Sequence, residues 1–346
     1  MTGAAARRVQ DQERAQRYFL WAALALLLLA AVLGCRKLPP KAAFPPQKIT
    51  VAYTSQPQGT LVQVAVAKGY FAEEGLEVQP QLHTYGKAAL RSMLDQKADF
   101  ATVAETPVMF GLLQGEQFFV IANIEASTQN NAIVARREAG ISRPRDLRGK
   151  RVGFTPGTTS EFFLDSFLTA QGLTRKDLRP VPLKPEEMRQ AIRERTVDAV
   201  CTWNYPLSQI ERDLGTTGVV FYDREIYTET FNIAVSRDVM EGRHETVHAF
   251  LRALLRAEQF VAEQPEEAQA IMVSATGIDR GLIRQVWGAF SYSVRLDQTL
   301  LITLEDETRW AIKQNLTDQT VMPDYRKFIH EDSLLAVKAA AVGKAR

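Results

Sequence analysis

Along the chain, short apolar runs alternate with segments whose apolar residues recur at helical spacing. Lys48–Tyr53 reads as a strand, and Leu61, Val62, Ala65, Val66 and Phe71 share one face of a helix whose end Gly69 and Gly75 punctuate. Leu76–Leu82 alternates apolar with polar residues, the pattern of a half-buried strand. Ala88, Leu90, Met93 and Leu94 form a helical stripe after Gly86. Asp99–Val103 is a short strand, Pro107–Leu113 a helix ending at Gly115, and Phe118–Ile124 a buried strand. This βαβαβαβ order predicts an α/β fold with a mostly parallel sheet flanked by helices.

The same period starts again at Asn131–Arg136. Strand Arg151–Phe154, helix Ser160–Gln171, strand Leu178–Leu183, helix Glu186–Arg195, strand Val197–Cys201, helix Pro206–Leu214 and strand Gly218–Tyr222 make a second unit. After one more strand, Thr230–Ser236, the spacing turns wholly helical over His244–Gln264, Glu266–Ser274, Asp279–Phe290 and Leu300–Leu316. These helices are expected to pack back on the first unit. Thr128–Asn131 and Tyr227–Phe231 then become two crossings, an arrangement that permits hinge closure. The expected division is a first lobe over 48–128 plus 230–330, a second lobe over 129–229, and a tail over 331–346 that reads as a frayed helix.

Ahead of this body, Arg7, Arg8, Arg14 and Arg17 precede the uncharged apolar run Tyr18–Cys35, the pattern of a secretory signal. Its end, Val32-Leu33-Gly34-Cys35, resembles a bacterial lipobox, which implies lipidation of Cys35. The other reading is an uncleaved transmembrane anchor, since a span needs ~17–25 residues. Either reading tethers the protein outside the cytoplasmic membrane. Residues 36–47, with Pro39-Pro40 and Pro45-Pro46, read as an extended, semi-rigid linker.

A chain of 346 residues is long enough for two cores, and its formal charge of +2 comes without a basic stretch interleaved with aromatics. Nucleic acid is therefore excluded as the main partner. The two cysteines, Cys35 and Cys201, make no disulfide framework and no metal-ligand spacing. Cys201 lies in an apolar run and reads as a small buried residue.

Candidate chemistry clusters where strands end. Strand Val152–Phe154 runs into the turn Thr155-Pro156-Gly157-Thr158-Thr159-Ser160 and then a helix, and Ile49–Tyr53 runs into Thr54–Thr60 and then a helix. Such turns aim backbone N–H groups and the positive end of a helix dipole at one point, suited to an anionic or polar group. In parallel sheets, ligands sit beyond the carboxyl ends of the strands. Those ends carry Tyr53, Gln56, Glu105, Thr106 and Glu125 in the first unit, and Thr158, Thr159, Ser160, Trp203 and Asn204 in the second. Trp203, Tyr53 or Tyr205 can supply an apolar or stacking wall. Glu105 and Glu125 either hold an amine or amidine-like donor or cap the helices that follow them. An amino-sulfonate or an amino-pyrimidine satisfies this set.

Two other readings stand beside this one. His244-Glu245-Thr246-Val247-His248 matches H-E-x-x-H, in which two histidines one helical turn apart bind zinc and the glutamate acts as base. The motif stands at a helix start and lacks a third histidine at metzincin spacing, so the expectation is no catalytic residue, no metal and no cofactor. A tethered solute sensor without transport is the other.

Several segments carry a family resemblance. Ala65-Val66-Ala67-Lys68-Gly69-Tyr70-Phe71-Ala72-Glu73-Glu74-Gly75-Leu76-Glu77-Val78 is similar to the A-x-A-K-G-hydrophobic-F-x-x-E-G-L-x-V opening of a group of substrate-binding proteins. These serve ABC importers for aliphatic sulfonates, taurine, nitrate and thiamine-pyrimidine precursors. Ala98-Asp99-Phe100 with Pro107, Asp146-Leu147-Arg148-Gly149-Lys150-Arg151-Val152-Gly153, Pro156–Ser160 and Val197-Asp198-Ala199 resemble further segments of that group. The resemblance implies a two-lobed periplasmic-binding-protein fold of type II with a helical C-terminal part on lobe 1. It implies a monomeric, non-enzymatic, periplasmic or cell-surface lipoprotein that hands a small-molecule solute to ABC permease and ATPase subunits. The group's ligand positions carry over to Gln56, Thr158, Thr159, Ser160, Trp203 and Asn204. Glu105 and Glu125 depart from a purely anion-binding site and speak against nitrate or a simple alkyl sulfonate.

Overall fold

The computed structural model describes residues 45–338; Cys35, the apolar run before it and most of the proline-rich linker lie outside the described residues. The first part of the chain runs β1 (Gln47–Thr54), α1 (Thr60–Ala67), α2 (Tyr70–Glu73), β2 (Leu76–His83), α3 (Gly86–Leu94), β3 (Phe100–Ala104), α4 (Glu105–Leu113) and β4 (Phe118–Ser127). The middle part is β5 (Asn131–Arg136), β6 (Arg151–Phe154), α5 (Thr159–Ala170), β7 (Arg179–Pro182), α6 (Pro185–Arg193), β8 (Ala199–Trp203), α7 (Pro206–Leu214) and β9 (Gly218–Phe221). The last part is β10 (Glu229–Ser236), α8 (Arg237–Gly242), α9 (His244–Glu263), α10 (Pro265–Thr276), α11 (Arg280–Trp287), β11 (Ser291–Arg295), α12 (Gln298–Lys313) and α13 (Glu331–Val337).

Two sheets result: a six-stranded one ordered β11-β4-β10-β3-β1-β2 and a five-stranded one ordered β7-β6-β8-β5-β9. β1 pairs in parallel with β2 and β3, while β10 runs antiparallel to both β3 and β4. In the second sheet β6 is parallel to β7 and β8, while β5 is antiparallel to β8 and β9. The reversed strands β5 and β10 are the first to follow each crossing of the chain between sheets. The central strand β3, Phe100-Ala101-Thr102-Val103-Ala104, is buried on both faces and reads as a near-continuous apolar run for that reason. Pro80 lies in β2, and Pro180 and Pro182 lie in β7. Both strands are sheet edges, where a missing N–H costs least.

Two aspartates of the family-like segments, Asp99 and Asp198, are structural clamps with equivalent roles. Asp99 accepts from the backbone N–H of Thr50 at 2.7 Å, and Asp198 from that of Arg151 at 2.9 Å. Each thus ties the entrance of one parallel strand to that of its neighbour. Asp198 also pairs with the guanidinium groups of Arg136 and Arg151, and Asp99 with that of Arg243.

The core over the first sheet is completed by the C-terminal helices. Phe250 of α9 stacks on Phe100 at 4.1 Å and meets Phe71 at 4.9 Å between ring centroids. Three sequence expectations need amending. The region after Ser236 is not wholly helical, because Ser291–Arg295 adds an edge strand to β4. The single helix from Leu61 breaks at Gly69, whose φ of 72° ends one helix and starts the next. Of the segment read as a frayed tail, Glu331–Val337 is a helix with Leu334 fully buried, preceded by a bridge in which His330 N–H donates to the Val120 carbonyl at 2.8 Å, while 339–346 lie outside the described residues. Among the described residues no helix is long and apolar enough to cross a membrane.

Candidate functional site

The chain leaves the six-stranded sheet after Ser127 and returns at Glu229, and these two residues pair in the sheet register. The two crossings therefore lie side by side. Next to them is a cavity of about 30 Å³ lined by Gln56, Gln58, Tyr85, Gly86, Lys87, Ala104, Pro107, Thr158, Thr159, Trp203, Glu229 and Phe231. It is walled by both sheets' connections and opens toward a groove of about 750 Å³ along α3 and α4 that shares Tyr85, Lys87 and Pro107. The cavity is small, with room for no more than a few water molecules.

Glycine sets the wall spacing at two points. A Cβ on Gly86 would stand 3.0 Å from the Val103 Cα and 3.1 Å from the Phe231 ring, so only glycine lets α3 start this close to β3. Gly157, with φ of 66°, turns the chain beneath Lys87, whose ammonium donates to the Pro156 carbonyl at 2.9 Å.

Of the residues singled out from sequence, Gln56, Thr158, Thr159 and Trp203 line this cavity. Gln56 ties the two parts together: its amide accepts from the Tyr205 backbone N–H at 3.0 Å and donates to the Thr84 carbonyl at 3.0 Å. Trp203 faces Tyr85 with ring centroids 6.4 Å apart and 34° between planes. Thr158 donates to the Thr155 carbonyl at 2.7 Å and Thr159 to Asn131 Oδ1 at 3.1 Å. Ser160 is turned inward, donating to the Cys201 carbonyl at 3.1 Å and accepting from the Thr155 N–H.

The rest stand away from the cavity lining. Tyr53 is buried in β1, and its phenol is pushed up by that burial. Asn204 accepts from Ser208 at 2.8 Å, and Tyr205 packs with Met272, Leu282 and Ile283. Glu105 accepts from the Thr230 N–H at 2.8 Å and its hydroxyl at 3.2 Å; Thr106 donates to Glu307 at 2.5 Å. Glu125 is fully buried on β4. Burial first and Glu229 second raise its carboxyl well above the ordinary range, against the pull of Arg295.

Among the lining residues that sequence reasoning missed, which include Gln58, Tyr85 and Lys87, the charged carboxylate is Glu229. It lines the cavity and is 1 % exposed. Its carboxylate accepts from Asn130 at 2.7 Å, from Gln58 at 3.3 Å and from Asn131. Burial raises its pKa, and these amide donors oppose the rise. The signal for it is the reversed strand, since β10 starts at the edge where its parallel neighbours end.

The H-E-x-x-H segment opens α9. Glu245 is in an ion pair with Arg252 at 2.8 Å, which holds its carboxyl below the usual range, and His248 Nδ1 is 3.6 Å from Glu245. A carboxylate so paired is a weak base. Among the described residues no three His, Cys, Asp or Glu side chains converge so as to hold a metal ion.

Comparison with known proteins agrees with this architecture. The NMT1/THI5 like family matches residues 56–268, and the chain belongs to that family. The taurine-binding periplasmic protein of Escherichia coli (strain K12) is 23% identical over 274 residues, 75% of this chain and 83% of that protein. The formylaminopyrimidine-binding protein of Halalkalibacterium halodurans is 24% identical over 219 residues, 62% of this chain and 66% of that protein. Among solved structures, the alkanesulfonate-binding protein of Xanthomonas axonopodis pv. citri bound to MOPS superposes with a TM-score of 0.73 at 16% identity, over 84% of this chain and all (100%) of that one. The fold is that of the periplasmic binding proteins.

Proposed function

We propose that this family member is the extracytoplasmic solute-binding component of an ABC importer, holding a small organic solute with an amine or amidine-like donor between two lobes that close on it. The lobes correspond to the two sheets with their helices, and the paired crossings at Ser127–Asn131 and Phe221–Glu229 act as the hinge. The observation that carries the reading is Glu229, a buried carboxylate in the cavity wall whose hydrogen-bond partners are all neutral. A carboxylate in that position favours a positively charged or donor-rich solute. Of its three amide donors Gln58 is the most distant, at 3.3 Å, and is the one a solute N–H replaces. Tyr85 and Trp203 give flat walls on either side of such a solute, and the N-terminus of α5 at Thr158–Thr159 takes its polar end. The names of relatives, which include a taurine and a formylaminopyrimidine binder, support a solute carrying an amino nitrogen.

The test is calorimetric titration of the purified body with a 4-aminopyrimidine, taurine, methanesulfonate and nitrate. Binding is expected for the amino compounds, and Glu229→Gln should weaken it by at least tenfold. Tight binding of methanesulfonate or nitrate, unaffected by Glu229→Gln, would refute the amine reading.

A further inference from the structure

Glu229 does not stand alone. Behind it lie Glu105 at the start of α4 and Glu307 on α12, and all three are buried to within 1 % of full burial. Glu105 Oε2 takes the Thr230 N–H at 2.8 Å and Glu307 Oε1 takes the Thr106 hydroxyl at 2.5 Å, but Glu105 Oε1 and Glu307 Oε2 have no partner among the described residues. The charged and titratable neighbours are the Tyr227 phenol, Asp306 on α12, and Glu125 on β4, which is itself within reach of Arg295. Among the described residues the groups that act most strongly on Glu105, Glu229 and Glu307 include no cation.

Three ionised carboxylates cannot share a dry volume without a counter-charge, so the cluster keeps at least one proton. The two unpaired buried oxygens, Glu105 Oε1 and Glu307 Oε2, mark where such a proton can reside. Glu229 is the member of the cluster that reaches the cavity.

We propose that the cleft captures its solute as a cation in exchange for a proton held among Glu105, Glu229 and Glu307. The protonated cluster and the cationic solute give a complex with an ionised cluster, and the proton goes to bulk water. The inference rests on the amine or amidine reading of the cleft.

Benzamidine is a suitable probe, because its amidinium stays charged through the neutral range, with neutral benzamide as its isostere. Calorimetry in two buffers of different ionisation enthalpy should show about one proton released per benzamidine bound. Affinity should rise about tenfold per pH unit between about pH 6 and pH 8. Glu307→Gln should lose the proton release and flatten the rise of affinity with pH, with Glu105→Gln as the second variant if the first folds poorly. Infrared spectra should show a protonated-carboxyl band in the free protein at neutral pH that benzamidine diminishes. Benzamidine binding without proton release overturns the exchange and leaves the cation reading standing. Absence of the carboxyl band in the free protein overturns the exchange with no ligand needed. If taurine binds and benzamidine does not, the cation reading itself fails, and the exchange with it.

Discussion

Replacing Glu307 by glutamine should flatten the dependence of stability on pH. Burial, with help from Glu229 and Asp306 and against the Thr106 hydrogen bond, pushes the Glu307 carboxyl from 4.5 up to about 8. A carboxyl whose pKa is raised by folding stabilises the native state through its bound proton. That contribution is complete below the unfolded pKa and is lost as pH rises through the folded one. The window therefore runs from about pH 4.5 to about pH 8, with no further loss above it. At 1.36 kcal/mol per unit, this interval is worth on the order of 5 kcal/mol. Glutamine resembles the protonated acid: its oxygen can still accept from Thr106, and it carries no charge.

Urea unfolding at steps from about pH 5 to pH 9, with equal m-values as the check on comparability, reads the difference between the two proteins. Glu105, Glu125 and Glu229 are raised as well, so the wild type should lose stability with rising pH by more than Glu307 alone explains. Carboxylates held low by arginines, such as Asp198 and Asp213, act in the opposite sense but at acid pH, below this window. Parallel curves for wild type and Glu307→Gln, or a wild type that gains stability from pH 5 to 8, would refute the reasoning.

Other outcomes follow from the same geometry. Arg175→Met strands Glu161 and Asp165, whose side chains are 5% and 4% exposed, and should cost about 3–5 kcal/mol in urea unfolding. Gly157→Ala places a Cβ at a φ of 66° and 2.6 Å from the Lys87 ammonium. It should cost about 1–2 kcal/mol from the backbone alone, with a further part that Lys87→Met relieves in a double-mutant cycle. Asp198→Asn should destabilise by more than Asp99→Asn, by about 1–3 kcal/mol, because it also takes from the buried Arg136 guanidinium one of its two charge partners, leaving only the more exposed Glu138. Denaturant midpoints of the two variants compare them directly.

Much of the fold was legible because the central strands are buried on both faces and therefore appear as unbroken apolar runs between helical stripes. β11 was not. Its five residues alternate only weakly, and they gain a partner in β4 from far back in the chain, with a register shift between Tyr292 and Arg295. Nothing local favours extended structure there, so only the finished sheet edge shows it. The break at Gly69 was visible as a punctuation mark, but not as the left-handed residue that lets a second short helix follow.

The site was half legible for a reason that lies in strand direction. The rule that ligands gather beyond carboxyl ends finds Gln56, Thr158, Thr159 and Trp203, because β1, β6 and β8 run toward the cavity. It points away from β5 and β10, which are reversed, so that their first residues arrive at the same edge. Asn131 opposes Trp203, Glu229 opposes Ser127, and Phe231 opposes Ala104. The same reversal explains why Glu105 stands away from the cavity lining. With β10 in this register, the Thr230 N–H lies 2.8 Å from the Glu105 carboxylate and holds it below the cavity wall, while the residue before Thr230 turns its own carboxylate into the wall. One antiparallel strand thus withdraws the acid that the parallel-strand rule selects and presents another in its place. A reversed strand following an inter-sheet crossing is accordingly where a binding residue should be sought at the strand's beginning rather than its end.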